Sequence, residues 1–170
     1  MYLGLDQSPR RIGYALGTPD AVPTTGVWSL PPAKDGELAP FLCAARKQLE
    51  LLLREKPVEL VCFESPLQMI GSETNRKKFA LAGVIELACY DLKIKCLEVS
   101  VNTWRKPFMG VTTGGTKFLK DEAMRECVRR GWFVESDDEA DACGILSYAM
   151  SVAVPGYGIK HLPLLSGRPA

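Results

Sequence analysis

The sequence predicts an α/β fold in which helices cover both faces of a mixed five-stranded sheet. Three short apolar runs with strand character open the chain, and two more alternate with segments whose apolar residues recur at helical spacing. The 170 residues, 46% of them hydrophobic, suffice for one well-packed core and are few for two. Because crossover helices pack against parallel strands, this order of elements predicts one mixed sheet with helices on either side.

The first three strands are expected to form an antiparallel meander. Residues 2–6 and 11–16 are apolar runs separated by the turn-forming segment 7–9, which is typical of a β-hairpin. Residues 24–30 supply the third strand, and the proline pair 31–32 ends it. This meander makes up one half of the predicted sheet.

The middle of the chain predicts two crossover units. Apolar residues at helical spacing mark helices over 38–55 and 73–92, and each helix is followed by a short strand, 59–64 or 94–99. A right-handed crossover places strand 59–64 parallel to strand 2–6. The two halves of the sheet therefore join at these two strands.

Acidic residues end the first and the fourth strand. Asp6 follows one apolar run, and Glu64 follows the run that ends at Phe63. Because the two strands are expected to be parallel, their carboxyl ends meet at one edge of the sheet. We therefore expect Asp6 and Glu64 to lie close together.

The rest of the chain predicts a connector, two helices and a tail. Residues 102–110 form a connector rich in aromatic and basic side chains, and Gly114-Gly115 predicts a mobile loop. A helix over about 116–130 comes before the last strong helix pattern. Glycine and proline become frequent after that pattern, so we divide the chain into one domain, residues 1–154, and a C-terminal tail, residues 155–170.

The last helix carries acids on its inward face. At about 100° per residue, two acids fall in the same sector as three apolar residues. The acids are Asp138 and Asp141, and the apolar residues are Ile145, Ala149 and Val152. Two carboxylates therefore continue an apolar stripe.

Helix capping is the alternative explanation for these acids. Ser136 and Glu139 have the spacing of a capping box, and acids suit the positive end of a helix. Capping does not require acids on a buried stripe, where a carboxylate is costly unless a cation, a hydrogen bond or a metal compensates it. We therefore favour a metal-binding or catalytic role for Asp138 and Asp141.

Composition argues against several classes of protein. The net charge of +1 gives no overall basic signal, so a DNA-binding surface would depend on local clusters of Lys and Arg. The six cysteines form no CxxC pair and lie in apolar segments, which predicts reduced core residues of a cytoplasmic protein. The single histidine, His161, argues against a histidine-rich zinc site or a Ser-His-Asp triad. No leader and no membrane-spanning apolar run is visible, so no membrane partner is expected.

The acids Asp6, Glu64, Asp138 and Asp141, which we call the acid tetrad, come from three predicted elements that meet at one sheet edge. An all-oxygen cluster suits Mg²⁺ or Mn²⁺ better than zinc. Two such ions about 3.5–4 Å apart can clamp the attacking water and the leaving oxygen of a phosphodiester. The sequence therefore predicts metal-dependent phosphodiester hydrolysis.

Six segments carry a resemblance to a known family. They are Gly4-Leu5-Asp6, Gly13-Tyr14, Phe63-Glu64, Thr103-Trp104-Arg105-Lys106, Lys120 to Trp132, and Asp138-Glu139-Ala140-Asp141-Ala142. In this order and spacing they resemble the RuvC-like Holliday-junction resolvases of the ribonuclease H-like nuclease superfamily, in particular the phage and proteobacterial branch. The resemblance spans roughly residues 2–152. The hairpin departs from the family, because Gln7-Ser8 stands where relatives often have Pro-Gly.

The resemblance implies a ribonuclease H-like fold and a homodimer that binds four-way DNA junctions. Such an enzyme, a crossover junction endodeoxyribonuclease, nicks two opposed strands and leaves 5′-phosphate ends. By matching position, the acid tetrad would be catalytic and would bind two Mg²⁺ ions, for which Mn²⁺ could substitute. Lys120 is the preferred match for the active-site lysine of the family, and Lys117 is the second choice.

The expected DNA contacts are basic and aromatic residues near the same edge. They are Arg76, Lys77, Lys78, Trp104, Arg105, Lys106 and Lys117. The neutralisation of phosphates by such groups dominates DNA affinity, although each basic pair alone is usually a solvated surface. Trp104 could stack on a base or anchor a buried loop. The helix over 73–92 is a candidate dimer face, although its apolar residues could all belong to the core.

Two alternatives remain open, and a third is disfavoured. One is another ribonuclease H-like nuclease that acts on RNA or on an RNA–DNA hybrid, and another is a catalytically silent junction-binding protein. An actin-like or sugar-kinase-like ATPase would need a second glycine-rich phosphate loop, which this sequence lacks. No small-molecule substrate is therefore expected.

Overall fold

The computed structural model describes residues 1–32, 37–66 and 72–157. Strands and helices follow one another in an order close to the predicted one. In chain order they are β1 (Tyr2–Gln7), β2 (Arg11–Gly17), β3 (Thr24–Ser29), α1 (Ala39–Glu55), β4 (Leu60–Glu64), α2 (Ser72–Asp91), β5 (Lys95–Val99), α3 (Val101–Met109), α4 (Thr116–Arg129) and α5 (Asp137–Ala153).

The strands form one sheet in the order β3-β2-β1-β4-β5. The first three strands pair antiparallel, while β4 runs parallel to both β1 and β5. The predicted meander, the parallel crossover and the mixed five-stranded sheet are therefore confirmed.

Helices cover both faces of the sheet because the side chains of β1 alternate between them. Leu3 and Leu5 are buried in a core that β1 shares with apolar residues of α1 and α2. Gly4 points the other way, toward α5, which packs with α3 and α4 in a second core. The predicted two-sided α/β arrangement is confirmed.

Glycine in β1 lets α5 lie directly on the sheet. A Cβ atom at Gly4 would lie 2.4 Å from both the carbonyl oxygen of Ala142 and the backbone nitrogen of Leu146. Since both atoms belong to the helix backbone, a side chain at this position could be accommodated only by moving the helix. The close approach of α5 therefore depends on the absence of a side chain at Gly4.

The predicted connector is wrong in one respect, because residues 101–109 form helix α3. Val101, Trp104 and Phe108 recur at helical spacing and pack in the core with α5. Pro107 lies in the last turn, where it removes one helical hydrogen bond, the one that an N–H at this position would donate to the carbonyl of Thr103. Gly110 then ends the helix with a φ of 77°, a left-handed conformation that glycine adopts without strain.

Two burial predictions are also wrong. Cys43 is exposed on α1, whereas the other five cysteines are buried or half-buried, and all six are free thiols. Val152 is 56% exposed, because residues 151–153 are all exposed and the last turn of α5 leaves the core. Ile145 and Ala149, the other two apolar residues of the predicted inward sector, are fully buried.

Two expectations concern the end of the chain. The division at residue 154 stays a prediction, and Tyr157, beyond it, is buried in the α3–α5 core. His161 and the rest of the tail lie outside the described residues. Across the described ranges, none of the helices combines the length and the apolar character that a bilayer crossing needs.

Candidate active site

The parallel pairing of β1 with β4 brings two acids to one edge of the sheet. Leu5 lies opposite Phe63 in the register of the two strands, so Asp6 and Glu64 follow at the same level. Gln7 strengthens this edge, because its Nε2 donates a hydrogen bond to the backbone oxygen of Glu64 over 2.8 Å. The predicted proximity of Asp6 and Glu64 is confirmed.

The first turn of α5 places the other two acids over this edge. Gly13 pairs with Asp6 across the hairpin, and a Cβ atom at Gly13 would lie 2.2 Å from the carbonyl oxygen of Asp138. Asp138 and Asp141 both lie on the buried side of the helix, each 8% exposed. The structure therefore brings the whole acid tetrad to the predicted edge.

The helix start itself is capped as predicted. The hydroxyl oxygen of Ser136 accepts a hydrogen bond from the backbone N–H of Glu139 over 3.3 Å. The Glu139 carboxylate accepts hydrogen bonds from the backbone N–H of Glu135 and from the Thr25 hydroxyl, both over 3.0 Å. Capping thus occupies Ser136 and Glu139, and it leaves the buried position of Asp138 and Asp141 unexplained.

Burial and repulsion between acids raise the pKa values of the three aspartates of the tetrad. Burial raises the pKa of Asp6 well above its ordinary value, and the charges of the other three tetrad acids raise it further. Only partial relief comes from the Lys78 ammonium, which lowers the pKa of Asp6. Burial raises the pKa of Asp141 to about 7, although the Arg105 guanidinium opposes this shift. The cluster therefore needs more positive charge than these side chains provide.

Arginine and lysine side chains contact the acids of α5. Arg11, which follows the hairpin turn, forms an ion pair with Asp138. Nη2 of Arg105 lies 3.7 Å from Oδ2 of Asp141, and Lys120 forms an ion pair with Asp137. Each cation comes from a different element, so β2, α3 and α4 all approach the start of α5.

The donor set of the cluster fits a hard divalent cation. The Oδ1 atom of Asp141 is buried and has no hydrogen-bond partner in the described part of the chain. Carboxylate oxygens are the preferred ligands of Mg²⁺ and Mn²⁺, and the charges of three other acids add to the effect of burial in raising the pKa of Asp6. Within the described residues, no three His, Cys, Asp or Glu side chains already lie close enough together to enclose an ion. An ion would therefore compete with Arg11 and Arg105 for carboxylates.

Of the two candidate lysines, Lys120 faces the acids. Its ion pair with Asp137 raises its pKa, and the charges of Asp138 and Asp141 act in the same direction. The side chain of Lys117 is 91% exposed and pairs with Asp121 one turn along α4. The position of Lys120 therefore suits an active-site cation, and that of Lys117 suits an outer surface.

The basic residues of α2 and α3 differ in their contacts. Lys78 lies close enough to Asp6 to lower its pKa, and Lys77 pairs with Glu73 within α2. Arg76 and Lys106 are exposed to solvent. These positions leave Arg76 and Lys106 accessible to DNA, while Lys78 is directed toward the acid cluster.

The predicted DNA contact of Trp104 is contradicted by the structure. Trp104 is fully buried in α3, so its ring cannot stack on a base. Its indole Nε1 donates a hydrogen bond to Oε2 of Glu64 over 2.9 Å. The sequence could not distinguish the two roles, because the space for the ring is provided by Gly144, far along the chain.

Two site contacts were not predicted from the sequence. Gln7 is 3% exposed and ties the ends of β1 and β4 together, and Arg11 pairs with Asp138. A polar residue directly after a strand-ending acid is a weak signal, since turns are often polar. The partner of Arg11 depends on where α5 packs against the sheet, and only the tertiary structure shows this position.

The metal-free protein is expected to lose stability as the pH rises from about 4 to about 7. Because the pKa values of Asp6 and Asp141 are raised by folding, the folded chain binds more protons than the unfolded chain in this window. We expect the Tm in EDTA to be lower at pH 7.5 than at pH 5, by roughly 5 °C or more. Mg²⁺ should recover part of the loss at pH 7.5.

Thermal melts followed by circular dichroism at both pH values, with EDTA and with Mg²⁺, measure this effect. Asp141→Asn removes one of the shifted carboxyls and should flatten the pH dependence in EDTA. A wild-type Tm in EDTA that is equal or higher at pH 7.5 would contradict the electrostatic account of the cluster.

Comparison with known proteins adds evidence on the fold. No protein-family model matches the sequence, and no curated protein matches it. Among solved structures, Thermus thermophilus RuvC superposes with a TM-score of 0.69 at 13% identity, over 89% of this chain and 95% of that one. The chain has the RuvC fold.

Two further structures agree with this assignment. Thermus thermophilus RuvC in complex with a Holliday junction substrate gives a TM-score of 0.67 at 14% identity, over 85% of this chain and 89% of that one. Ydc2, the yeast mitochondrial Holliday junction resolvase, gives a TM-score of 0.59 at 15% identity, over 95% of this chain and 84% of that one. The predicted RuvC-like architecture is therefore confirmed, and the phage and proteobacterial branch stays a prediction.

Proposed function

We propose that this chain is an endodeoxyribonuclease that resolves four-way DNA junctions by metal-dependent phosphodiester hydrolysis. The observation that carries the proposal is the meeting of acids from β1, β4 and α5 at one sheet edge, within the RuvC fold. A protein that only bound DNA would not need buried carboxylates whose pKa values are raised by burial and mutual repulsion. Cleavage in this scheme leaves 5′-phosphate ends.

The acid tetrad would hold two Mg²⁺ ions, with Mn²⁺ as a substitute. When bound, the ions supply activation of the attacking water and stabilisation of the charge on the leaving oxygen. The chain contributes a partly buried edge of low dielectric at which these charges act strongly, and Asp6 supplies the carboxylate that the other three acids repel. Support for this assignment comes from the oxygen-only donor set and from the orphaned Oδ1 of Asp141.

Cations around the cluster would receive the phosphates of the DNA. Lys120 and Arg105 lie next to the acids, so a phosphate near the ions would meet positive charge from α4 and α3. The outer contacts of the proposed DNA surface are Arg76, Lys77, Lys106 and Lys117, and Lys78 would meet DNA closer to the acids. Such contacts hold the duplex arms and carry little sequence information.

A homodimer would supply two active sites for the two opposed strands. The outer face of α2 exposes Phe79, Leu87 and Tyr90, which are 47%, 56% and 81% accessible. Large apolar side chains grouped on one exposed helix face are typical of a protein–protein contact. We therefore propose α2 as the dimer face. The six free thiols also suit the reducing cytoplasm, in which we expect the enzyme to act.

The decisive experiment is cleavage of a synthetic four-way DNA junction by the purified full chain. Linear duplex, RNA–DNA hybrid and structured RNA of equal length serve as controls, each with Mg²⁺ and with EDTA. Paired, symmetric nicks on the junction alone, dependent on Mg²⁺, are the expected result. Sedimentation velocity on the same preparation is expected to show a dimer.

The other outcomes separate the alternatives. Preference for hybrid or RNA would retain the fold and assign a different nuclease, and tight junction binding without cleavage in Mg²⁺ or Mn²⁺ would assign a binding protein. Either result would overturn the proposed function.

Lys120→Ala is expected to slow junction cleavage by about 10- to 100-fold and to change junction affinity by less than about threefold. The reason is that Lys120 faces the acids, where a cation stabilises charge at the scissile phosphate. Single-turnover rates and gel-shift affinities measure the two effects separately.

Lys117→Ala is the matched control for this prediction. It removes the same charge from the same helix, at a side chain that is 91% exposed. We expect it to weaken binding slightly and to leave the single-turnover rate almost unchanged. If Lys120→Ala affected only the affinity, Lys120 would be a phosphate contact and not an active-site residue.

A further inference from the structure

The buried residue Trp104 contacts the acid cluster directly. Its indole Nε1 lies 2.9 Å from Oε2 of Glu64 and donates a hydrogen bond to this carboxylate. The residue is fully buried in α3, whereas Glu64 ends β4 and is half-buried. A side chain of α3 is thus hydrogen-bonded to the acid that ends β4.

Packing fixes the direction of this indole N–H. A Cβ atom at Gly144 of α5 would lie 2.4 Å from Cζ3 of Trp104, so the ring occupies the space that a side chain of α5 would fill. The Phe108 ring lies on the same side of α3, with its centroid 6.3 Å from that of Trp104. Because the ring is wedged between α3 and α5, it has little freedom to turn away from Glu64.

Trp104 and Arg105, neighbours in α3, act on two acids of different elements. Nη2 of Arg105 lies 3.7 Å from Asp141, and its guanidinium also lies 5.2 Å from the Trp104 ring centroid. The two contacts differ in charge. A guanidinium neutralises its carboxylate and competes with a metal ion, whereas a neutral indole N–H orients a carboxylate and leaves its negative charge available.

We propose that Trp104 is a positioning residue that holds the Glu64 carboxylate in the orientation required for metal binding. The proposal rests on the proposed function, since it takes Glu64 to be a metal ligand. A glutamate has three rotatable side-chain bonds, and fixing them before an ion binds lowers the entropy cost of coordination. Outer hydrogen bonds to ligating carboxylates have this effect in metal sites, and their loss typically weakens metal affinity by about 10- to 100-fold.

Trp104→Phe tests the proposal, because it retains an aromatic ring against Gly144 and removes only the indole N–H and part of the ring. Trp132→Phe is the matched control. Trp132 is 8% exposed and stacks on Phe108 at 6.2 Å in the same core, so its substitution causes a similar packing loss. Titration calorimetry of Mg²⁺ into the metal-free full chain gives the affinity, and chemical denaturation gives the stability of each variant.

We expect Trp104→Phe to weaken Mg²⁺ binding by about 10- to 100-fold and Trp132→Phe to change it by less than about twofold. In the Glu64→Gln background, Trp104→Phe should have no further effect on metal affinity, because the ligand through which it acts is already altered. Equal effects of the two Trp→Phe variants on affinity would reduce Trp104 to a packing residue and overturn the proposal.

A second measurement follows the wild-type chain itself, and variants serve only to assign one signal. The indole N–H signals of the tryptophans are observed by ¹H–¹⁵N NMR while Mg²⁺ is added. The Trp104 signal, identified by its loss in Trp104→Phe or by its shift in Glu64→Gln, is expected to move with Mg²⁺, and that of Trp132 to remain in place. A Trp104 signal that stays unchanged in the metal-saturated protein would overturn the proposal.

The role of Trp104 and the proposed function are tested by different outcomes. Normal Mg²⁺ binding by Trp104→Phe, together with normal junction cleavage by the wild type, overturns the role of Trp104 and retains the proposed function. If the wild-type chain binds neither Mg²⁺ nor Mn²⁺ in calorimetry, the proposed function and the role of Trp104 both fall.

Discussion

Asp6→Asn is expected to reduce junction cleavage by at least about 10³-fold while junction affinity stays within about threefold of the wild type. Burial raises the pKa of Asp6, and the charges of the other three tetrad acids raise it further, so Asp6 is repelled by each of them. The amide is nearly the same size as the carboxylate but lacks its charge, so metal binding is lost and the surrounding basic surface is retained. Single-turnover cleavage and gel-shift assays in Mg²⁺ measure the two quantities.

The same substitution should affect stability in the opposite direction. In EDTA at pH 7.5, Asp6→Asn removes a half-buried charge that three neighbouring acids repel, so the Tm of the variant is expected to exceed that of the wild type. Added Mg²⁺ should raise the Tm of the wild type more than that of the variant. A lower Tm of the variant in EDTA would indicate that Asp6 has a structural partner.

Asp20→Asn provides the control for both assays. Asp20 is exposed in the β2–β3 connection, so the same chemical change at that site should alter neither cleavage nor metal-dependent stability. Retained cleavage by Asp6→Asn would remove Asp6 from the active site, and with it the reason for assigning the tetrad.

The convergence of the tetrad could be predicted because it follows from topology and helical phase. Asp6 and Glu64 end adjacent parallel strands, and a right-handed crossover leaves them no other relative placement. The phase of α5 likewise directs Asp138 and Asp141 toward the sheet. The same helical phase predicted that Val152 is buried, and this prediction is wrong. Helical periodicity does not show at which residue a helix extends beyond the core.

The contacts within the site could not be predicted, because they depend on residues far apart in the chain. Trp104 reads equally well as a DNA contact or as a core residue until Gly144 is seen to make room for its ring. An arginine directly after a turn, such as Arg11, is usually solvated. Only the position of α5 in the fold makes Arg11 the partner of Asp138. Sequence patterns therefore predict which elements meet, and side-chain pairing requires the tertiary structure.

Gly13→Ala is expected to destabilise the fold by about 3 kcal/mol or more and to abolish the Mg²⁺-dependent rise in Tm. The new Cβ would lie 2.2 Å from the carbonyl oxygen and 2.6 Å from the carbonyl carbon of Asp138. These are backbone atoms at the start of α5, so no side-chain rotation relieves the contact and the helix start has to move. Asp138 moves with it, away from Asp6. Chemical denaturation in EDTA and thermal melts with and without Mg²⁺ measure both effects.

Gly83→Ala makes the same change where the structure offers space. Among the described residues of one chain, no heavy atom lies within 4 Å of a Cβ atom at Gly83 in α2, so the higher helix propensity of alanine should stabilise the monomeric protein by about 0.5–1 kcal/mol. Gly13→Ala and Gly83→Ala each add one methyl group to the wild-type chain, and they are expected to change its stability in opposite directions. A Gly13→Ala protein with wild-type stability and a normal response to Mg²⁺ would show that α5 need not touch the hairpin for the tetrad to bind metal. The close approach of α5 at Gly13 would then be a feature of packing alone, and the metal site would have to be assembled from Asp6, Glu64 and Asp141.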